Sequence, residues 1–185
     1  MSSNVKVGDS PNHFMVLDAI SRGIKSVGKI ASVTKLSKPQ VEMIINDLAA
    51  QRLIVKSEKK SFFGKKEELT ITETGMRMLM AKKQELDQKF QQIQQWYSNG
   101  QMGQLQNSMQ SDRLWFPFMM FSGIMNIMFF ASMMSMMGAA MSPAESSFAG
   151  DAGAGGEAGD GGAAGDSGDA GGGDFGGDMG GDFGF

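Results

Sequence analysis

Along the first half of the chain, apolar side chains recur at intervals of three and four, the spacing that puts them on one face of a helix. Phe14, Leu17 and Ile20 make such a face. Ser10-Pro11 ahead of them is a helix-start pair, with Ser as N-cap and Pro where its missing N–H costs nothing. Gly23 can supply the left-handed residue that ends this helix. A short second helix around Val27 to Val33 points Ile30 and Ala31 inward, and Thr34-Lys35-Leu36 is a tight turn. Ser37-Lys38-Pro39-Gln40 reads as a capping box, the Ser hydroxyl accepting from the Gln40 N–H while the Gln side chain reaches back, so a third helix starts there. Its Val41, Ile44, Ile45 and Leu48 form one face and leave Met43, Asn46, Asp47 and Ala50 outside.

The period then changes. Leu53-Ile54-Val55-Lys56 and Leu69-Thr70-Ile71-Thr72 are β-branched runs separated by a basic stretch, Ser57 to Glu68, with Gly64 at its bend; they predict a hairpin. From Glu73 the pattern becomes a heptad, with Met76, Lys83, Phe90 and Tyr97 at one position and Leu79, Leu86 and Ile93 at the other. Two copies of the chain can pair on this seam, which makes Met76, Leu79, Leu86, Phe90, Ile93 and Tyr97 candidate dimerisation residues. A helix folded back on its own domain is the alternative. Gly100 and Gly103 interrupt the pattern, and a weakly amphipathic connector with Met102, Leu105 and Met109 runs to Asp112-Arg113.

Beyond Arg113 charge disappears for 28 residues, Leu114 to Met141. At about 1.5 Å per residue, one helix of that length crosses a hydrocarbon core of roughly 30 Å, so a single transmembrane helix is expected. Pro117 suits its first turn, Trp115 an interfacial anchor, and Ala131, Ser135 and Ala139 a small-residue row for helix pairing. Nine methionines, a central Asn126 and three serines dilute the segment, and the competing reading is a Met-rich helix buried in a soluble oligomer. Pro143 is expected to stop the helix. The remainder, Gly, Ala and Asp with scattered Phe and Met, is expected to be disordered because it can bury too little surface to offset ordering entropy. Gly-Asp recurs every nine residues at Gly150, Gly159, Gly168 and Gly177, but without the large aliphatic residues a calcium-binding β-roll needs, so composition explains it.

Charge divides the chain. All seventeen Lys and Arg lie at or before Arg113 against eleven acids, a net of +6, and the remainder holds nine acids and no base. By the positive-inside rule, a spanning helix would keep the basic head cytoplasmic and put the tail outside; the alternative is a soluble cytoplasmic protein. There is no Cys, which excludes disulfides, thiolate metal sites and thiol nucleophiles. The one His, His13, is expected on a helix surface. With no nucleophile–base set, paired carboxylates, phosphate-cradling loop or metal spacing, no enzyme, cofactor or metal is expected.

The stretches Lys38 to Ile54 ("KPQVEMIINDLAAQRLI") and Glu68 to Leu79 ("ELTITETGMRML") resemble MarR-like and PadR-like winged-helix regulators, in which an "L-T-x-x-G" segment closes the wing and opens a long helix. The resemblance covers roughly the first 80 residues. It implies a three-helix core, a β-wing, dimerisation and double-stranded DNA as ligand. Independently of it, Lys35, Lys38, Lys56, Lys59, Lys60, Lys65 and Lys66 are gathered at the helix-turn-helix entrance and on the hairpin, which suits phosphate contacts. Gln40, Met43 and Asn46 face outward as candidate base contacts: the amides can pair bidentately with adenine and Met43 can meet a thymine methyl. The same face carries Glu42 and Asp47 and no Arg, as a protein-binding winged helix would.

The expected architecture is therefore mainly α with a small β-hairpin: a flexible 1–9, a winged helix-turn-helix over 10–75, a long coiled-coil helix over 76–98, a connector over 99–113, one apolar helix over 114–141 and a tail over 142–185. Phe62 and Phe63 at the wing tip are expected to clamp against the long helix or a dimer partner. Residues 180–185 are similar to the acidic, Phe-ended tips with which single-stranded DNA-binding proteins recruit partners, so the tail is assigned an unidentified protein partner. The function expected is a dimeric, membrane-tethered, DNA-binding transcriptional regulator. The alternative is an adaptor whose winged helix and Met-rich helix both bind protein.

Overall fold

The computed structural model describes the backbone of residues 10–61 and 64–153 and the side chains of residues 10–58 and 68–150. Helix α1 (Pro11–Ser21) is the centre of the molecule, with every residue from His13 to Ile20 buried. A helix covered all round needs neighbours on every side, and α1 has them in α2 (Val27–Thr34), α3 (Lys38–Ala50), the hairpin and two later helices. Its one buried carboxylate, Asp18, is matched by Arg22 on one oxygen and Lys83 on the other, each at 2.5 Å.

Gly23 (φ +85°) ends α1, and Lys35, itself left-handed, ends α2. The Ser37–Gln40 capping box then opens α3, and Val41, Ile44, Ile45 and Leu48 bury the face the sequence marks. Strands β1 (Ile54–Ser61) and β2 (Gly64–Ile71) pair antiparallel, with Ile54 opposite Ile71, Lys59 opposite Lys66 and Lys60 opposite Lys65. They are longer than the two four-residue runs predict, because the backbone ladder continues through the basic stretch between them. Phe62 and Phe63, and the clamp expected of them, lie outside the described residues.

Thr72 joins wing to long helix. Its hydroxyl accepts from the Gly75 N–H and donates to the Leu53 carbonyl, and its own N–H bonds the same carbonyl. That carbonyl lies so close that a Cβ on Gly75 would stand 2.2 Å from it, so only glycine fits. Helix α4 (Glu73–Ser98) follows and turns its heptad stripe inward. Leu79, Leu86, Phe90 and Ile93 are buried within the single chain, and Met76 and Tyr97 are half-buried. The stripe expected to pair two copies is thus covered by the chain's own helices, and Lys83 in it pairs with Asp18 of α1 rather than setting the register of a dimer.

The apolar segment is not one helix. After α5 (Met102–Asp112) a 3₁₀ turn (Arg113–Trp115) leads into α6 (Phe116–Ser122) and α7 (Ile127–Met137). Gly123 (φ +78°) closes α6, and Asn126 opens α7 by accepting from the Met128 N–H, so the polar residue counted as a dilution of a span is an N-cap. No described helix is long and apolar enough to cross a membrane. Phe118 stacks on Phe14 of α1 at 5.9 Å, Trp115 lies 5.8 Å from the same ring, and Phe116 meets Phe130 at 5.8 Å. These side chains share one core with the winged helix. Ala131 and Ser135 lie on α7, but Ala139 lies beyond its end, so the small-residue row does not form a helix face.

Pro143 starts a helix instead of stopping one: α8 (Pro143–Gly153) opens with a second capping box, in which Glu145 accepts from the Ser142 N–H and its own N–H bonds the Ser142 hydroxyl. The buried Glu145 carboxylate also holds Arg113 through both oxygens, at 3.0 and 2.9 Å. Burial pushes its pKa up, and the bonds from Arg113 and Ser142 outweigh that and hold it below the ordinary value. The flexible 1–9 and the disorder assigned to the far tail lie outside the described residues.

Candidate nucleic-acid interface

The outward side of α3 is what remains once its apolar stripe is buried. It presents Lys38, Gln40, Glu42, Met43 and Asn46, with Met43 57% exposed. The wing root folds against this side: Lys56 on β1 donates from Nζ to Asn46 Oδ1 at 2.5 Å. A recess of about 240 Å³ lined by Val27, Glu42, Ile45, Asn46 and Lys56 marks where α2, α3 and the hairpin meet. Helix and wing thus offer one continuous surface.

The three expected base contacts are not equivalent. Met43 and Asn46 stand free of the core, whereas Gln40 is engaged at the helix start: its Oε1 accepts from both the N–H and the hydroxyl of Ser37. A side chain that caps its own helix is poorly placed to read a base as well. Lys35, Lys38 and Lys56 are exposed around α3. The side chains of Lys59, Lys60, Lys65 and Lys66 lie outside the described residues; their backbone positions are two opposed pairs on the hairpin. Lys25 on the loop before α2 is paired to Glu68 of β2, and Lys29 of α2 is exposed.

Two residues at this surface carry roles that reading by period misses. His13 is buried rather than on a surface. Its Nδ1 bonds the Ser10 hydroxyl at 2.7 Å and its Nε2 meets Asp47 Oδ2 at 3.1 Å, tying the start of α1 to the last turns of α3. Ser10 therefore spends its hydroxyl on His13 and not on a backbone cap. Asp47, one of two acids on the helix, is drawn toward that bond and away from the outward face. Arg52, left-handed (φ +58°) between α3 and β1, is exposed; no periodic signal announces a single residue in a turn.

Three helices, a capped third helix with a free polar face and an antiparallel hairpin against it define a winged helix-turn-helix domain. Residues 8–60, from α1 through β1, match the family model described as MarR family. The head of this chain is therefore similar to the winged-helix domain of the MarR family over these residues. No curated protein and no solved structure matches the chain.

Proposed function

We propose that the chain regulates transcription by binding duplex DNA, with α3 in the major groove and the hairpin along the neighbouring backbone. The observation that carries this reading is the bond from Lys56 to Asn46, which sets the wing beside the exposed polar face of α3. In the complex Lys56 turns to a phosphate and frees the Asn46 amide to pair with the edge of an adenine, and Met43 contacts a thymine methyl. Lys35, Lys38 and the hairpin lysines 59, 60, 65 and 66 supply the remaining phosphate contacts. Gln40 holds the helix start instead of reading a base.

Members of the matched family act as dimers, and two copies on a two-fold site suit a homodimer here as well. With Leu79, Leu86, Phe90 and Ile93 covered within one chain, such a pair forms through another surface. The reading needs no membrane, since most of the large apolar residues that suggested one, Phe116, Phe118, Met119, Met120 and Phe130 among them, lie in the protein core.

Selection of bound sequences from a random duplex pool by the full chain tests the proposal. It should enrich a motif containing an adenine, and Asn46→Ala should relax choice at that position by about 1–3 kcal/mol, the worth of a bidentate base contact. Recovery of unenriched pool, or of protein partners without DNA, favours the adaptor reading.

A further inference from the structure

A cavity of about 730 Å³ opens between the winged domain and the C-terminal helices. The start of α1 and the Lys35–Leu36 turn form one side; the end of α5, the start of α6 and α8 form the other. Met15, Leu36, Met109, Leu114 and Phe148 make it apolar. Of its two cationic lining residues, Lys35 and Arg113, the latter is already paired with Glu145 of α8. Its size is that of cavities which enclose compact ligands, roughly 300–1,000 Å³.

We propose that this cavity receives the chain's own segment Asp174–Phe185. After Phe148 the only large apolar side chains are Phe175, Met179, Phe183 and Phe185, and all four fall in the last eleven residues; residues 149–173 hold only Gly, Ala, Ser, Asp and Glu. Apolar groups gathered behind a spacer without any are arranged to dock, not to build a core along their length. Asp174, Asp178 and Asp182 each stand immediately before one of them, and the match to the cavity lies in the apolar groups, which meet its apolar walls.

Connectivity favours the same occupant. Helix α8 is both a wall of the cavity, through Phe148, and the root from which residues 154–185 continue. The twenty residues from 154 to 173 span at most about 3.5 Å each, a contour far longer than the distance back to the wall they leave. A Phe ring buries on the order of 150–250 Å² on entering such a site. Tethering at effective concentrations that reach about millimolar lets a contact too weak to persist between separate molecules be populated within one. Because Lys35 and Leu36 lead directly into α3, an occupied cavity rests against the segment that positions the outward helix.

The absence of Cys allows one reporter to be placed cleanly. A nitroxide on Gly181→Cys in the full chain, read on isotope-labelled methionine methyls, should relax Met15 and Met109, both buried at the cavity, several-fold more than Met80, which is exposed on α4. Adding Phe183→Ala and Phe185→Ala should remove that difference without altering the fold. Equal, weak relaxation of Met15, Met109 and Met80 overturns the proposal. So does strong relaxation confined to Met43 on α3 that fades with salt, which would put the acidic segment on the DNA-facing surface. No DNA enters the measurement, so its failure leaves the DNA-binding reading standing.

Discussion

Helices α3 and α6 are both rich in large apolar side chains, and they place them in opposite ways. Helix α3 buries one stripe, Val41, Ile44, Ile45 and Leu48, and leaves Met43 57% exposed. In α6 the residues from Phe116 to Met120 are buried in unbroken succession, whereas α7 buries Phe130, Met133 and Met134 and leaves Met128 79% exposed. A helix covered on one side has a face left for a partner, whereas a run covered on every side is core. The quantity of apolar surface does not separate these cases; its period does.

The largest effect that sharpens this contrast comes from the run. Phe118→Ala removes a ring packed on Phe14 and should cost about 3–5 kcal/mol, read as a lower urea midpoint with one transition for the whole described fold. If 116–137 were independent of the winged domain, the head would unfold at its original midpoint. Acid provides the next test. Glu145 is held below its ordinary value near 4.5, so its contribution is complete above that pH and is lost as pH falls through the depressed folded value. Stability should therefore decline below about pH 4.5, and Glu145→Gln should flatten that part of the profile while lowering stability at neutral pH.

Asn126→Ala should cost about 1 kcal/mol by removing the cap that divides the segment into two helices. In a single continuous helix the same change would raise stability, since Ala is the better helix former. The smallest effect belongs to the exposed side: Met43→Ala should change stability by no more than about 0.5 kcal/mol, because nothing in the core depends on it. A large loss there would mean that α3 has no free face.

The regular part of this fold was legible because it repeats. Three helices, the Ser37 capping box and the limits of α4 follow from spacing and end signals alone. Where a signal has two meanings, reading by type fails. Pro143 occupies the first turn of α8 and not the end of a helix, and only Glu145 two residues later tells the two apart. Gly123 and Asn126 lie three residues apart inside an uncharged run, where an end signal and a start signal together mark a break. The heptad of α4 shows that a stripe is covered without saying by which chain. At the candidate interface, exposure of Met43 and Asn46 was readable from period. The capture of Gln40 by Ser37 was readable from the same capping box that begins the helix, while the pairing of His13 with Asp47 joins residues 34 apart and leaves no local trace.

Duplex affinity of the full chain, followed by fluorescence anisotropy over a range of salt, tests the central claim most directly. The account predicts binding at low salt that weakens steeply and log-linearly as salt rises, with Lys56→Gln making the slope shallower by about one unit and leaving helicity unchanged. Absence of duplex binding at low salt, or binding indifferent to salt, would contradict it.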